Sequence, residues 1–130
     1  MGFILSRRSM KNLEGVHEDL VKVVQRALEI TEVDFTVIEG VRSHEKQAQL
    51  LRTGATRTMN SRHLTGHAVD LAAWVNGKIN WTWSYYCDIA EAMKTAAKEL
   101  GVSVEWGGDW VTFKDGPHFQ LSWKEYPKWY

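Results

Sequence analysis

The chain has 130 residues, and its 16 Lys and Arg residues balance its 16 Asp and Glu residues, giving a formal net charge of +0. Hydrophobic residues make up 44% of the sequence and charged residues 25%, which is typical of one soluble domain with a substantial core. The zero net charge disfavours a nucleic-acid-binding protein, because such proteins usually carry a basic excess. Cys87 is the one cysteine, so an internal disulfide is excluded.

Hydrophobic periodicity and capping residues predict an α+β domain, in which a small, mainly antiparallel sheet packs with about three helices. An Asn76-Gly77 turn signal joins two of the predicted strands, and Gly101 ends the last helix. In chain order we expect a helix over 16–30, a strand over 35–41, a helix over 43–53, a loop over 55–65, a strand over 69–75, a return strand over 78–81, a helix over 85–100, and strands over 102–106 and 119–122.

The N-terminal segment lacks the features of a secretory leader. Its apolar run, Phe3-Ile4-Leu5, is too short for a signal-peptide core, and no stretch of the chain is long and apolar enough to span a membrane. We therefore expect the protein to be made and kept in a cytoplasm unless another factor releases it.

Two histidines and an aspartate lie close together in the middle of the chain. On a helix, His63 and His67 would share one face, as in zincins, but Leu64 replaces the glutamate of that motif and Gly66 disfavours a helix. Alternatively, a loop carries His63 into a strand that carries Asp70, with His67 facing the other way. A third interpretation gives Asp70 only a capping or ion-pairing role at a strand edge, and this segment alone leaves the last two open.

A second motif, Asp115-Gly116-Pro117-His118, favours a metal site. The Gly-Pro pair predicts a tight turn from which His118 enters a strand, so Asp115 and His118 lie close together with different orientations. One of them can bind a metal while the other acts on water. His63, Asp70 and His118 then supply two imidazoles and one carboxylate, and three protein ligands with an open fourth position are typical of catalytic zinc sites.

These motifs resemble the M15 peptidases, a family that includes D,D-dipeptidases, D,D-carboxypeptidases and phage endolysins and shares its fold with the Hedgehog signalling domain. The spacing Ser61-x-His63-x6-Asp70 followed by Asp115-x-x-His118 carries the resemblance, which is strongest to phage L-alanyl-D-glutamate peptidase endolysins. It extends over nearly the whole chain through the segments Asn12–His17, Glu39–Arg42, Gly107–Trp110 and Asp115–Phe119.

The resemblance implies a role for individual residues. One zinc ion per chain would be held by His63, Asp70 and His118. Asp115 matches the general base of the family, and Arg42 matches the arginine near the substrate carbonyl. Asp109 and Ser61 lie in matching motifs beside the site and are expected to contact substrate.

The resemblance also implies a function and a setting. We expect one catalytic domain over residues 1–130, without a separate wall-binding module, that hydrolyses the L-alanyl-D-glutamate bond of the peptidoglycan stem peptide. The protein would be a monomer without nucleic-acid partners or stable membrane insertion, would accumulate in the host cytoplasm, and would reach the wall after the membrane is permeabilised. The alternatives are a D,D-carboxypeptidase or dipeptidase with the same zinc, and a non-catalytic Hedgehog-like zinc domain.

Aromatic residues are frequent, with 7 tryptophans in the chain. We expect five of them to pack in the core or border the cleft, namely Trp74, Trp81, Trp83, Trp106 and Trp110. The C-terminal segment 123–130 alternates aromatic and charged residues, which favours packing on the domain surface and leaves contact with the wall or membrane open.

Overall fold

The computed structural model describes residues 2–56, 59 and 61–127, and it has the expected α+β architecture. Its helices and strands are α1 (Arg7–Asn12), α2 (Glu18–Ile30), β1 (Phe35–Glu39), α3 (His44–Arg52), β2 (Ala68–Val75), β3 (Lys78–Asn80), α4 (Trp83–Leu100), β4 (Val104–Trp106) and β5 (His118–Leu121). Two short 3-10 turns, Arg62–Thr65 and Gly107–Asp109, precede β2 and follow β4. The fold class is therefore confirmed, and α1 adds a fourth helix to the expected three.

Capping residues mark where the helices begin and end, close to the predicted positions. The Oγ of Ser43 accepts a hydrogen bond from the backbone N–H of Lys46, so α3 begins directly after it. His17 caps α2 in the same way through Nδ1, which accepts the N–H of Asp19. Gly101 ends α4 in the left-handed conformation with φ of 69°, which glycine adopts at low cost.

The sheet is antiparallel and has two different faces. Its strand order is β1-β2-β5-β4, with β3 paired to the other end of β2. Val69, Leu71, Phe119 and Leu121 are fully buried in the core that the sheet forms with α2 and α4. Because side chains alternate along a strand, the residues between them project from the opposite face. That face carries the polar groups of the candidate site.

Helix α1 was not predicted, although it supports the end of β1. The Oγ of Ser9 accepts the N–H of Val37, and the side-chain amide of Asn12 donates to the Val37 carbonyl at 2.8 Å. A Cβ on Gly40 would lie 2.0 Å from the Asn12 carbonyl oxygen, so only glycine fits there. β1 accordingly ends at Glu39, two residues before the predicted end at 41.

Only some of the tryptophans lie where the sequence predicts them. Trp106 is buried and Trp110 borders the cavity of the candidate site, as expected. Trp74, Trp81 and Trp83 are 38%, 59% and 49% exposed, so the expectation that they fill the core or the cleft is wrong. Their positions on β2 and around the start of α4 turn them to the surface.

The C-terminal segment packs on the domain as far as it is described. Tyr126 donates from its hydroxyl to Asp19 Oδ2 at 2.8 Å, and the ring of Trp123 lies 4.1 Å from the Arg62 guanidinium. The prediction for residues 128–130 lies outside the described residues. None of the helices in the described ranges is long and apolar enough to cross a membrane.

Candidate active site

Asp70 lies between two histidines on the polar face of the sheet. In the register of β2 and β5, Asp70 is directly opposite His118. The 3-10 turn after Ser61 brings in His63 from the preceding loop. His63 Nε2 and His118 Nδ1 each lie 3.2 Å from Asp70 Oδ1, and one ligand atom from each of the three residues lies within 4.8 Å of the others. The structure thus brings together the three predicted metal ligands.

The outer nitrogen of each imidazole is held by an acceptor. His63 Nδ1 lies 2.8 Å from the Gly40 carbonyl oxygen, and His118 Nε2 lies 2.8 Å from Gln120 Oε1. Each acceptor requires a donating N–H, so in the neutral rings the lone pairs are on the inner nitrogens, which face Asp70. Three electron-donating atoms therefore converge on one point, where a cation would stabilise them.

The donor set fits a metal ion. Ligands at 2.0–2.1 Å around tetrahedral zinc are separated by about 3.3 Å, close to the spacing of Asp70 Oδ1 from the two nitrogens. Burial alone would raise the pKa of Asp70, but His118 and His63, which donate to its carboxylate when their rings are protonated, hold that pKa well below its usual range. Asp70 is therefore kept as a carboxylate, and the three residues could bind a metal ion.

Asp115 lines the same cavity from the turn that precedes β5. Its backbone N–H donates to the Gly107 carbonyl at 3.1 Å, and a Cβ on Gly107 would lie 2.4 Å from the Asp115 carbonyl oxygen. This close approach fixes the backbone of Asp115 against the 3-10 turn after β4. Burial and then the negative charge of Asp70 raise the pKa of Asp115, which suits a group that takes up and returns a proton.

Arg42 is held rigidly at the edge of the site. Its Nε and Nη2 donate to Glu39 Oε1, its Nη1 donates to Gln47 Oε1 at 2.7 Å, and Nη2 lies 3.6 Å from Asp70 Oδ2. The Arg42 N–H also donates to the His63 carbonyl at 3.0 Å, which joins this corner to the turn that carries His63. The guanidinium borders the cavity with a fixed orientation.

The two predicted substrate-binding residues have different positions. Ser61 lines the cavity, and its Oγ accepts the N–H of His63 at 3.2 Å, so it also caps the turn that carries this ligand. Asp109 lies apart from the lining residues; its Oδ2 pairs with Lys94 Nζ at 2.7 Å, and its side chain is 56% exposed. The structure therefore brings Ser61, but not Asp109, to the cavity.

The site is the floor of an open cavity of about 650 Å³. Trp110 and Phe113 line one side of it, and residues of α3, among them Lys46, line another. Such a volume accommodates a short peptide segment.

Sequence reasoning missed several polar residues that support the site. They are Glu39, Lys46, Gln47, Glu105 and Gln120. Gln120 bonds both His118 and Glu105, with its Nε2 donating to Glu105 Oε1 at 3.1 Å. Its position two residues after a predicted ligand on the same strand face was a usable signal, since such residues point the same way.

Comparison with known proteins shows the family to which this chain belongs. Residues 1–121 match the family described as phage L-alanyl-D-glutamate peptidase. The chain belongs to this family. The L-alanyl-D-glutamate peptidase of Escherichia phage T5 is 37% identical to this chain over 114 residues, and the match covers 85% of this chain and 83% of that protein.

Two bacterial endopeptidases are also similar to this chain. The peptidoglycan L-alanyl-D-glutamate endopeptidase CwlK of Bacillus subtilis is 32% identical over 108 residues, and the match covers 68% of this chain and 61% of CwlK. The crystal structure of the Serratia marcescens L-Ala D-Glu endopeptidase ChiX matches with a TM-score of 0.93 and 50% identity, and the match covers 98% of this chain and 96% of ChiX. The fold of this family is therefore the fold of the whole described domain.

Proposed function

We propose that this protein is a zinc-dependent endopeptidase that hydrolyses the bond between L-alanine and D-glutamate in the stem peptide of bacterial peptidoglycan. The observation that carries the proposal is the convergence of His63, Asp70 and His118 beside the half-buried carboxylate of Asp115. Family membership and the activities of the peptidase of Escherichia phage T5, of CwlK and of ChiX support this choice of bond.

The three converging residues would hold the zinc ion. Two imidazoles and a carboxylate are typical zinc ligands, and their cavity leaves room for a further ligand. When bound, zinc supplies a Lewis acid that activates water and polarises the substrate carbonyl. The hydrogen bonds that the outer nitrogens donate to the Gly40 carbonyl and to Gln120 Oε1 orient both rings before the metal arrives.

Asp115 would move the proton during hydrolysis. Its carboxylate accepts a proton from the attacking water as the new C–O bond forms, and it donates that proton to the leaving amine as the C–N bond breaks. Its raised pKa, caused by burial and by the nearby charge of Asp70, brings the carboxyl closer to the pKa that both transfers require.

Arg42 would donate to the carbonyl oxygen of the scissile bond as negative charge develops there. Glu39 and Gln47 hold the guanidinium in place, so little reorganisation accompanies the reaction. Ser61 would contact substrate from the cavity wall. For Asp109, a substrate contact would have to lie outside the cavity, since its carboxylate is paired with Lys94.

The proposal includes a biological setting. The protein would act as a monomeric endolysin, with residues 1–130 forming one catalytic domain. It would accumulate in the host cytoplasm and reach the wall once the inner membrane is permeabilised. The similarity to the L-alanyl-D-glutamate peptidase of Escherichia phage T5 supports a phage origin.

Digestion of purified peptidoglycan by the zinc-loaded protein tests the function. Mass spectrometry should find new peptides with N-terminal D-glutamate, and an Asp115→Ala variant with bound zinc should give none above background. Release of D-alanine instead would identify a D,D-carboxypeptidase or dipeptidase. Bound zinc without any product would favour a non-catalytic Hedgehog-like domain.

A further inference from the structure

The proposed substrate carries a negative charge close to the bond that is cut. A D-glutamyl residue has two carboxyl groups, and only one of them can continue the peptide chain. The other is left as a free carboxylate or, if modified, as a carboxamide. It lies only a few bonds from the scissile nitrogen, so it must enter the cavity together with that bond.

The cavity itself is rich in negative charge. Four carboxylates line it among the described residues, from Glu39, Asp70, Glu105 and Asp115. In the zinc-loaded enzyme the metal ion would offset part of this charge, but its open position would be taken by water and the scissile carbonyl. The anionic substrate group therefore needs a second cation that is close and available, because like charges repel strongly where water is partly excluded.

Two of the three Lys and Arg side chains that line the cavity in the described part of the chain are already engaged. Arg42 donates to Glu39 and Gln47. Arg62 is 2% exposed, its Nη2 donates to backbone carbonyls including that of Tyr126 at 2.6 Å, and its remaining Nη1 is buried out of reach of solvent. Arg62 is enclosed by these contacts, and the remaining donors of Arg42 are assigned to the scissile carbonyl oxygen, so neither guanidinium is available to the substrate carboxylate.

Lys46 differs from both. It lies in the first turn of α3 at the cavity wall, its side chain is 54% exposed, and its Nζ makes an ion pair with Glu39 Oε2 at 2.9 Å. The other oxygen of Glu39 accepts from Arg42, so this one carboxylate holds the ammonium beside the guanidinium. A lysine side chain with four flexible carbons can keep this anchor or leave it to meet a ligand.

We propose that Lys46 binds the free carboxylate of the D-glutamyl residue and makes the enzyme prefer the acid form of the substrate to its carboxamide. This inference rests on the proposed function and adds a specificity-determining residue to it. Glu39 acts here as a positioning residue, because it keeps the ammonium at the cavity wall when substrate is absent.

Two synthetic stem peptides that differ only in this group test the inference. One carries the free carboxylate and the other the carboxamide, and kcat/KM is measured on each with zinc-loaded protein. The wild type should prefer the acid, and Lys46→Met should lower that preference about fivefold, mainly through KM, as expected for one partly exposed ion pair. The preference of the wild type should also weaken at high ionic strength.

Matched variants separate this role from a structural one. Lys46→Arg keeps the charge and should retain the preference for the acid. Lys22→Met removes an exposed lysine from α2, outside the cavity, and should leave the preference unchanged. Circular dichroism and thermal unfolding establish that each variant is folded.

The outcomes distinguish the inference from the function on which it rests. If Lys46→Met changes kcat/KM equally on both peptides, or on neither, Lys46 does not read this carboxylate, although the peptidase activity stands. If the zinc-loaded wild type cuts neither peptide nor intact peptidoglycan, the proposed function itself is wrong.

Discussion

The protein holds two pairs of neighbouring histidines, and only one of these two pairs belongs to the candidate metal site. The rings of His63 and His118 are 5.0 Å apart, and those of His17 and His67 are 5.6 Å apart. The first pair shares Asp70 Oδ1 at 3.2 Å from each ring. In the second pair, His17 Nδ1 accepts a helix-capping N–H and His67 Nδ1 bonds the Thr65 hydroxyl.

The difference shows that two neighbouring histidine rings do not by themselves form a metal site. In the first pair the outer nitrogens are fixed by the Gly40 carbonyl and the Gln120 amide oxygen, so the inner nitrogens are left for a cation. In the second pair the Nδ1 atoms are used for local structure, and no carboxylate bridges the rings among the described groups. A shared carboxylate and fixed outer nitrogens, more than the distance between rings, distinguish a ligand pair from a packing pair.

Removing one histidine from each pair gives the largest contrast. His118→Ala takes away a ligand, so we expect zinc binding and peptidase activity to fall to background and thermal stability to drop, because metal binding is coupled to folding. His67→Ala should retain the metal and most of the activity. Elemental analysis and peptidoglycan digestion check both; equal zinc loss in the two variants would remove the distinction between the pairs.

Asp115→Asn separates holding the metal from acting on the substrate. The amide cannot accept the proton from water, so turnover should fall by about 10²–10⁴-fold while zinc content stays at that of the wild type. Single-turnover digestion of a stem peptide together with zinc analysis measures the two quantities. Normal turnover by this variant would show that another group serves as the base.

Changing the hydrogen-bond partner of one histidine in each pair tests the role of ring orientation. Gln120→Leu removes the acceptor of His118 Nε2, and we expect the affinity for zinc to fall about 10–100-fold. Thr65→Val removes the hydroxyl partner of His67 and should leave zinc affinity unchanged. Competition with a chromophoric chelator measures both, and similar affinities in the two variants would argue against a positioning role for Gln120.

The smallest expected effect is the pH dependence of stability that the second pair contributes. Burial, and then the charges of Arg62 and His17, lower the pKa of His67 below its ordinary value of about 6.5. The unfolded chain therefore takes up a proton more readily, so this contribution is complete above about pH 6.5 and is lost as the pH falls toward the folded-state pKa.

A His67→Gln variant should accordingly lose less stability than the wild type between pH 7.5 and pH 5.5. Urea unfolding of both zinc-loaded proteins at each pH measures this, and any zinc loss common to both proteins cancels in the comparison. A steeper loss in His67→Gln would contradict the assigned direction of the pKa shift.

Much of the fold could be predicted because its helices and strands carry strong local signals. The apolar period of α2, the Ser43 cap of α3 and Gly101 after α4 each determine a boundary within a few residues. Helix α1 was missed because its six residues are mostly polar and too few for a hydrophobic period. Its formation depends on contacts with β1 that only the folded chain provides.

The three candidate ligands could be predicted from spacing and family resemblance, whereas most of the groups that support them could not. Gly40 acts through a backbone carbonyl, which no side-chain motif records. Lys46 lines the cavity and Gln47 accepts a hydrogen bond from Arg42, and both lie on a helix whose orientation depends on tertiary packing. Asp109 shows that a residue in a matching motif need not line the cavity, because its side chain pairs with Lys94 outside it.

The contact between Gly107 and Asp115 has a consequence for how the enzyme can diversify. The N–H groups of Trp110 and Asp115 both bond the Gly107 carbonyl, at 3.2 Å and 3.1 Å, so the segment 108–114 leaves and rejoins the domain at one point. Segments closed in this way tolerate changes in length and composition between their ends. Loop exchange at this point would replace Trp110 and Phe113 at the cavity wall, and so change the peptides admitted, without displacing the carboxylate of Asp115.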